Sequence, residues 1–267
     1  MQITNLVENN TLFGCKTSHG LSLHIALESE NMLFDVSGDF EVLSGNAKKL
    51  GIDLKQVDRV IISHGHRDHG GALSQFLEIN KKAKIYIQRR AFLDHFSHRP
   101  TGVAYIGLDK ELMTHPQVEI VDGDYTINSS LELFTVKDNS HLASSANKSL
   151  FEGDRADNFE HEQNLVVREG NSVAVFIGCG HNGVVNIMNR AICYSPQMVI
   201  GGFHLTNPSA KRDEPKELLD KIIEELKCYK EIQFYTCHCT GLEVFDYLQK
   251  GMDNISYFYC GQKLELS

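Results

Sequence analysis

No stretch of the sequence approaches the roughly 18 uninterrupted apolar residues that a membrane-spanning helix needs. Its first ten residues, MQITNLVENN, lack both the basic segment and the apolar stretch of a secretory signal. The expectation is a cytoplasmic protein with no membrane partner. Proline is scarce, at five residues, and there is no low-complexity tract and no repeat of solenoid period. With 42% hydrophobic and 23% charged residues, the composition excludes disordered and fibrous classes and fits an ordinary globular protein. Basic charge is also in short supply. The formal net charge is -9 and the longest basic clusters, NKKAK and QRR, are short, so a sequence-independent grip on nucleic-acid phosphates is not expected. The seven cysteines are an odd number scattered along a chain long enough to build its own core, which points to free thiols rather than a disulfide framework.

Apolar runs of strand length recur throughout: LSLHIAL, NMLFDV, RVIISH, AKIYIQ, LELFTV, NLVVRE, VAVFIG, QMVIGGF and IQFYTCH. Helical spacing appears in GALSQFLEINKKA, VVNIMNRAICY, EPKELLDKIIEELKCY and GLEVFDYLQKG, the last ending at a glycine suited to a helix C-cap. Strands dominate the first half, and strand and helix alternate in the second. The pattern predicts one mixed α/β layered domain over residues 1–267. Segment 137–164 is polar, weakly periodic and long for a connection, which favours a functional loop over a domain boundary.

The stretch IISHGHRDHGG, residues 61–71, places three histidines and an aspartate within six positions directly behind an apolar run. Alternation along an extended chain aims His64 and His66 the same way. Asp68 and His69 then fall where the chain turns into the helix announced by GGALSQF. Imidazole nitrogen suits zinc, iron or manganese, and a carboxylate adds a harder oxygen donor, so the four side chains can serve one or two ions. The bland alternative is a polar turn that happens to be rich in histidine. Against it, further apolar runs end at or just before His181, His204 and His238, and the carboxyl ends of strands are where layered α/β domains gather their sites. The CHC at 237–239 lacks the spacing of a structural zinc knuckle, so Cys237 and Cys239 are expected to be small buried groups flanking His238.

SHGHRDHGGAL resembles the signature of the metallo-β-lactamase superfamily. LFDVSGDFEVLSGNAKKLGIDLKQVDRVIISHGHRDHGGAL, VFIGCGHNGVVNIMNRA, VIGGFHL and YTCHCTG are similar, in order and spacing, to its subgroup of metal-dependent hydrolases of the β-lactamase superfamily II. The resemblance spans roughly residues 15–262 and implies an αββα sandwich with a one- or two-metal site at one edge. It also implies His64, His66, Asp68 and His69 as ligands, and Asp35 as the group holding a ligand histidine's other nitrogen. For the remaining positions His181 and His238 are the expected ligands. Cys179, His161 and His204 stand as possible metal or substrate groups, and Arg67 as a possible anchor for phosphate or carboxylate. Arg67 departs from the subgroup, which often carries an aromatic residue there, and residues 90–160 match only loosely.

The chemistry expected is hydrolysis of a small phosphorylated or acyl substrate by a metal-bound hydroxide. Zinc is the expected metal, with manganese or iron as alternatives. Asp68 would orient the water, and His204 or His238 would donate a proton or steady the oxyanion. The resemblance also allows a pterin-type synthase that forms a C–C bond with release of pyrophosphate, because the subgroup includes an archaeal enzyme joining a ribosyl-aminobenzene phosphate to a dihydropterin. A non-catalytic metal-binding protein and redox chemistry at an iron pair are further readings, the last without a visible flavin-binding segment. Substrate identity and oligomeric state are not legible.

Overall fold

The computed structural model describes residues 1–207 and 212–266. Each of the nine apolar runs contains a strand, from Ser22–Ala26 to Gln233–Thr236. Strands Lys263–Glu265, Gln2–Val7, Ser22–Ala26, Asn31–Phe34, Arg59–Ile61, Lys84–Gln88 and Val118–Val121 lie in that order in one seven-stranded sheet. A second seven-stranded sheet runs Ile255–Tyr257, Gln233–Thr236, Met198–Gly201, Ser172–Ile177, Asn164–Glu169, Leu131–Phe134 and Tyr125–Thr126.

Side-chain alternation sorts these strands into layers. Met32, Phe34 and Ile61 of the first sheet meet Leu165, Val167, Ala174, Phe176 and Ile200 of the second in a shared core. Their neighbours Leu33, Val60, Ile85 and Ile87 face the opposite way, onto Leu43 and Ala47 of helix Phe40–Lys49 and Leu73, Phe76 and Leu77 of helix Leu73–Ile79. Likewise Val166, Val175 and Val199 face outward onto helices Val184–Ala191, Lys216–Leu226 and Leu242–Leu248. The result is the αββα sandwich, with both faces of each sheet buried. Each fully buried aliphatic or aromatic side chain contributes roughly 1.5–3 kcal/mol. No helix among the described residues is long and apolar enough to cross a membrane.

Three local expectations need revision. Helix Phe40–Lys49 has no counterpart in the helical spacing read from sequence, because Gly45 interrupts a short pattern. Its stripe Leu43, Asn46 and Ala47 is nevertheless buried, and Asp39 caps its first turn by accepting from Val42 N–H. Helix Leu242–Leu248 stops before Gly251, and Gln249 occupies its C-cap. Segment 137–164 is not plain loop: strands Leu150–Glu152 and Arg155–Ala156 pair with the hairpin His95–Arg99 and Gly102–Tyr105 in a four-stranded flap. The weak periodicity of these very short strands hid them.

His24 sits on the outer face of the first sheet, only 7% exposed. Burial, reinforced by the Lys263 charge, pulls its pKa down to about 4 against an opposing hydrogen bond with Asn31. The unfolded chain therefore takes up this proton near pH 6.5 and the folded one only near 4, so the stability His24 contributes is full above pH 6.5 and lost as the pH falls toward 4. His24→Gln is expected to flatten that loss by about 2–3 kcal/mol, read as a shallower fall of Tm between pH 6.5 and 4. Parallel curves for the two proteins would refute it.

Candidate metal centre

In both sheets the central strands are parallel, and their carboxyl ends open on the same edge. Asp35 follows Asn31–Phe34, His64 follows Arg59–Ile61, Cys179 and His181 follow Ser172–Ile177, His204 follows Met198–Gly201, and His238 follows Gln233–Thr236. The backbone is strained there. Asp35, Ser37, His204 and His238 all have φ between +49° and +63°, a region that costs non-glycine residues about 1 kcal/mol or more and is retained where a side chain must be aimed. Gly178 lets the two sheets close at this point, since a Cβ on it would lie 2.2 Å from Ser63 Oγ.

The first group is three imidazoles. The rings of His64, His66 and His181 stand edge-on to one another, with centroids 4.6, 4.9 and 4.8 Å apart and interplanar angles of 79°, 73° and 82°. Their Nε2 atoms are buried without a hydrogen-bond partner. For two of them the proton is placed by the other nitrogen. Ser63 Oγ donates to Asp35 Oδ2 at 2.7 Å, which leaves His64 Nδ1 as donor to Ser63 Oγ at 2.8 Å. His181 Nδ1 faces Asn147 Oδ1 at 3.1 Å, and the Asn147 amide is oriented by its Nδ2–H donating to His181 O. Both Nε2 atoms are thus bare lone pairs. Burial, then the neighbouring imidazoles, hold His64 and His181 well below the ordinary histidine pKa. His66 is likewise held well below it, by burial first and then by His161 and His95, against the opposing pull of the Asp68 and Asp157 carboxylates. All three are neutral at pH 7, the form that binds a cation.

The second group is mixed. His69 Nε2 lies 3.1 Å from Cys179 Sγ and 3.2 Å from His238 Nε2, and Asp68 Oδ2 is 3.4 Å from His238 Nε2. Tetrahedral bonds of about 2.0–2.3 Å space ligand atoms roughly 3.3–3.8 Å apart, within a few tenths of an ångström of these separations. His69 Nδ1–H donates to Asp35 Oδ2 at 2.6 Å, and His238 Nδ1–H to Asn9 Oδ1 at 3.1 Å. Burial opposes a charge on His69, but the Asp35 and Asp68 carboxylates outweigh it and lift its pKa to about 9. Cys179 belongs to both groups, its Sγ within 4.8 Å of the ligand atoms of His64 and His181 and of those of His69 and His238. Orphaned nitrogens, preset tautomers and ligand-like spacings together fit cations held at this edge.

His161 lies beside these groups with both nitrogens committed: Nδ1 accepts from Gly65 N–H at 2.9 Å and Nε2 faces Asp157 Oδ2 at 3.0 Å. Asp157 also faces His95 Nδ1 at 3.1 Å, so this buried network braces the 64–69 loop from behind. Glu162 accepts from His181 N–H and Asn182 N–H, both at 2.8 Å, fixing the next loop. Arg67 lines the cavity above the centre, together with Arg99, and neither guanidinium has an ion pair among the described residues. His19, missed in the sequence, places Nε2 3.3 Å from Asp68 Oδ2 and is 54% exposed. Asn9 and Asn147 were also missed: no local pattern marks an asparagine 229 residues from the histidine it orients. The cavity, of about 520 Å³, is lined by His66, Asp68, Cys179, His181, His204 and His238 on its floor, a size suited to a small molecule.

A curated protein of Methanocaldococcus jannaschii, 7,8-dihydropterin-6-methyl-4-(beta-D-ribofuranosyl)-aminobenzene-5'-phosphate synthase, is 28% identical over 253 residues, covering 85% of this chain and 82% of the relative. An uncharacterised protein of the same organism is 25% identical over 278 residues, covering 96% of this chain and 97% of its own length. A solved structure described as a metal-dependent hydrolase of the beta-lactamase superfamily superposes with a TM-score of 0.80 at 29% identity, over 100% of this chain and 99% of the other. The profile of the metallo-beta-lactamase superfamily matches residues 13–185, from ahead of the 64–69 loop to just past His181, and the chain belongs to that superfamily.

Proposed function

We propose that the chain, one functional unit over residues 1–267, is a cytoplasmic metal-dependent hydrolase of a small phosphorylated or acyl substrate. The observation that carries this is the meeting, beneath a solvent-open cavity, of the edge-on His64, His66 and His181 rings with a buried His69, Cys179 and His238 group and Asp68 beside it. In this reading His64, His66 and His181 hold one ion, Asp68, His69 and His238 hold a second, and Cys179 lies between them. Bound there, such ions supply Lewis acidity toward a phosphoryl or carbonyl oxygen and bring the pKa of water near 7. Imidazole with thiolate favours zinc, and the carboxylate admits iron or manganese. The seven free thiols fit a reducing compartment.

Asp68 Oδ2 orients the attacking water and accepts its hydrogen bond. Sequence reasoning offers His204 or His238 as the proton donor. His238 is committed at both nitrogens and His204 is gathered against Cys179 and Cys239, so this reading gives the leaving-group proton to His19, which reaches both Asp68 and the cavity. The unpaired Arg67 and Arg99 guanidiniums grip an anionic group at the mouth. Zinc-loaded protein is expected to cleave at least one member of a panel of aryl phosphodiesters, thioesters and lactones. No turnover of any member, by wild type and His66→Ala alike, would refute hydrolysis.

The named archaeal relative supports a second reading, C–C bond formation with release of pyrophosphate. It ranks lower because a pterin ring calls for aromatic stacking, and Tyr105 is the one aromatic carbocycle among the described lining residues. Pyrophosphate release from a dihydropterin pyrophosphate and the aminobenzene acceptor would reverse the ranking.

A further inference from the structure

Two residues of the cavity floor, His204 and Cys239, have no part in this chemistry. Cys239 Sγ, Cys179 Sγ and a ring nitrogen of His204 lie within 4.8 Å of one another and are buried. Neither Nδ1 nor Nε2 of His204 has a hydrogen-bond partner, although both are shielded from solvent. The polar neighbour that acts on the ring is the Cys239 sulfur, a weak partner, so at least one N–H or lone pair is left unsatisfied, at about 1–3 kcal/mol. His204 also keeps a left-handed backbone with φ 49°. Cys239 is held as closely: a Cβ on Gly202 would come within 2.5 Å of its sulfur, and Cys239 Sγ lies 3.3 Å from Cys179 O. A strained, unsatisfied imidazole beside two converging sulfurs has no structural return unless something occupies the space between them.

The geometry points to a thiophilic cation position formed by Cys179, His204 and Cys239, which takes zinc-like ions such as Zn²⁺ or Cd²⁺ and rejects Mn²⁺. Two sulfurs and an imidazole are a soft donor set, and soft donors discriminate between metals more strongly than the histidine and carboxylate groups beside them. The position shares Cys179 with the metal centre proposed above and extends that reading to the sulfur side of the cavity. It also gives Cys239 a function, where its spacing in CHC suggested only a small buried group.

Metal-free full-length protein is titrated with Cd²⁺ and separately with Mn²⁺, for wild type, Cys239→Ser and His204→Gln, with near-ultraviolet absorbance recorded for Cd²⁺. In wild type, Cd²⁺ is expected to produce thiolate-to-metal absorbance. Both substitutions are expected to weaken Cd²⁺ binding about tenfold or more and to leave Mn²⁺ binding unchanged. Cd²⁺ binding to wild type without thiolate absorbance, or substitutions that leave Cd²⁺ binding intact or weaken both ions equally, would overturn the sulfur position alone. Failure of wild type to bind either ion would overturn the metal centre with it. The wild-type absorbance needs no variant, so a misfolded mutant does not rescue the proposal.

Discussion

His66→Ala is expected to lower turnover about 10³-fold or more, because several kcal/mol of transition-state stabilisation are lost with one corner of the three-imidazole group. Its effect on folding should run the other way. His66 Nε2 has no protein partner, and its ring stands edge-on to those of His64 and His181, whose Nε2 atoms are orphaned as well. Without metal those groups destabilise the fold, as sites assembled for function commonly do. Metal-free His66→Ala is therefore expected to melt no lower than metal-free wild type. Zinc should raise the Tm of wild type, by mass action on the folded state, and raise that of the variant less. Thermal melts with and without zinc read both effects, and a variant that melts far below metal-free wild type would show His66 to be a packing residue.

The second large effect concerns Asp35, fully buried and left-handed at φ 62°. Its carboxylate accepts from Ser63 N–H, Ser63 Oγ–H and His69 Nδ1–H, all within 2.7 Å. Asp35→Asn preserves the shape but turns one oxygen into a donor. His69 must then give up the Nδ1 proton and carry it on Nε2, which points into the cavity. Affinity at the His69 position is expected to fall about 10–100-fold. The substitution also changes the pH profile. In metal-free wild type the His69 pKa of about 9 lies above its unfolded value, so its contribution to stability is full below pH 6.5 and is lost as the pH rises through 9. Asp35→Asn should flatten that alkaline loss, whereas an unchanged slope together with unchanged metal affinity would show that Asp35 does not act through His69.

How much of this was legible in the sequence follows from the range over which each feature acts. Strand positions could be read because alternation such as Met32, Leu33 and Phe34 sends neighbours into different cores. The 64–69 cluster was visible because its donors are adjacent in the chain, and His181 and His238 because each ends an apolar run. The flap strands at 150–156 escaped because two or three residues are too few to show a period. Asn9 and Asn147 escaped because they act across the fold on histidines supplied by other strands. Cys239 looked like filler because its partner sulfur comes from 60 residues away, at the end of a different strand. His161 stood out as a histidine, but only the positions of Gly65 and Asp157 show that both its nitrogens are already engaged.

The most direct test of the central claim is anomalous scattering at the zinc edge from crystals grown with zinc and without chelators. One peak within bonding distance of the His64, His66 and His181 Nε2 atoms, and another among Asp68, His69, Cys179 and His238, is the predicted result. Crystals equilibrated with saturating zinc that show no peak at either place, or zinc only at surface residues, would contradict it.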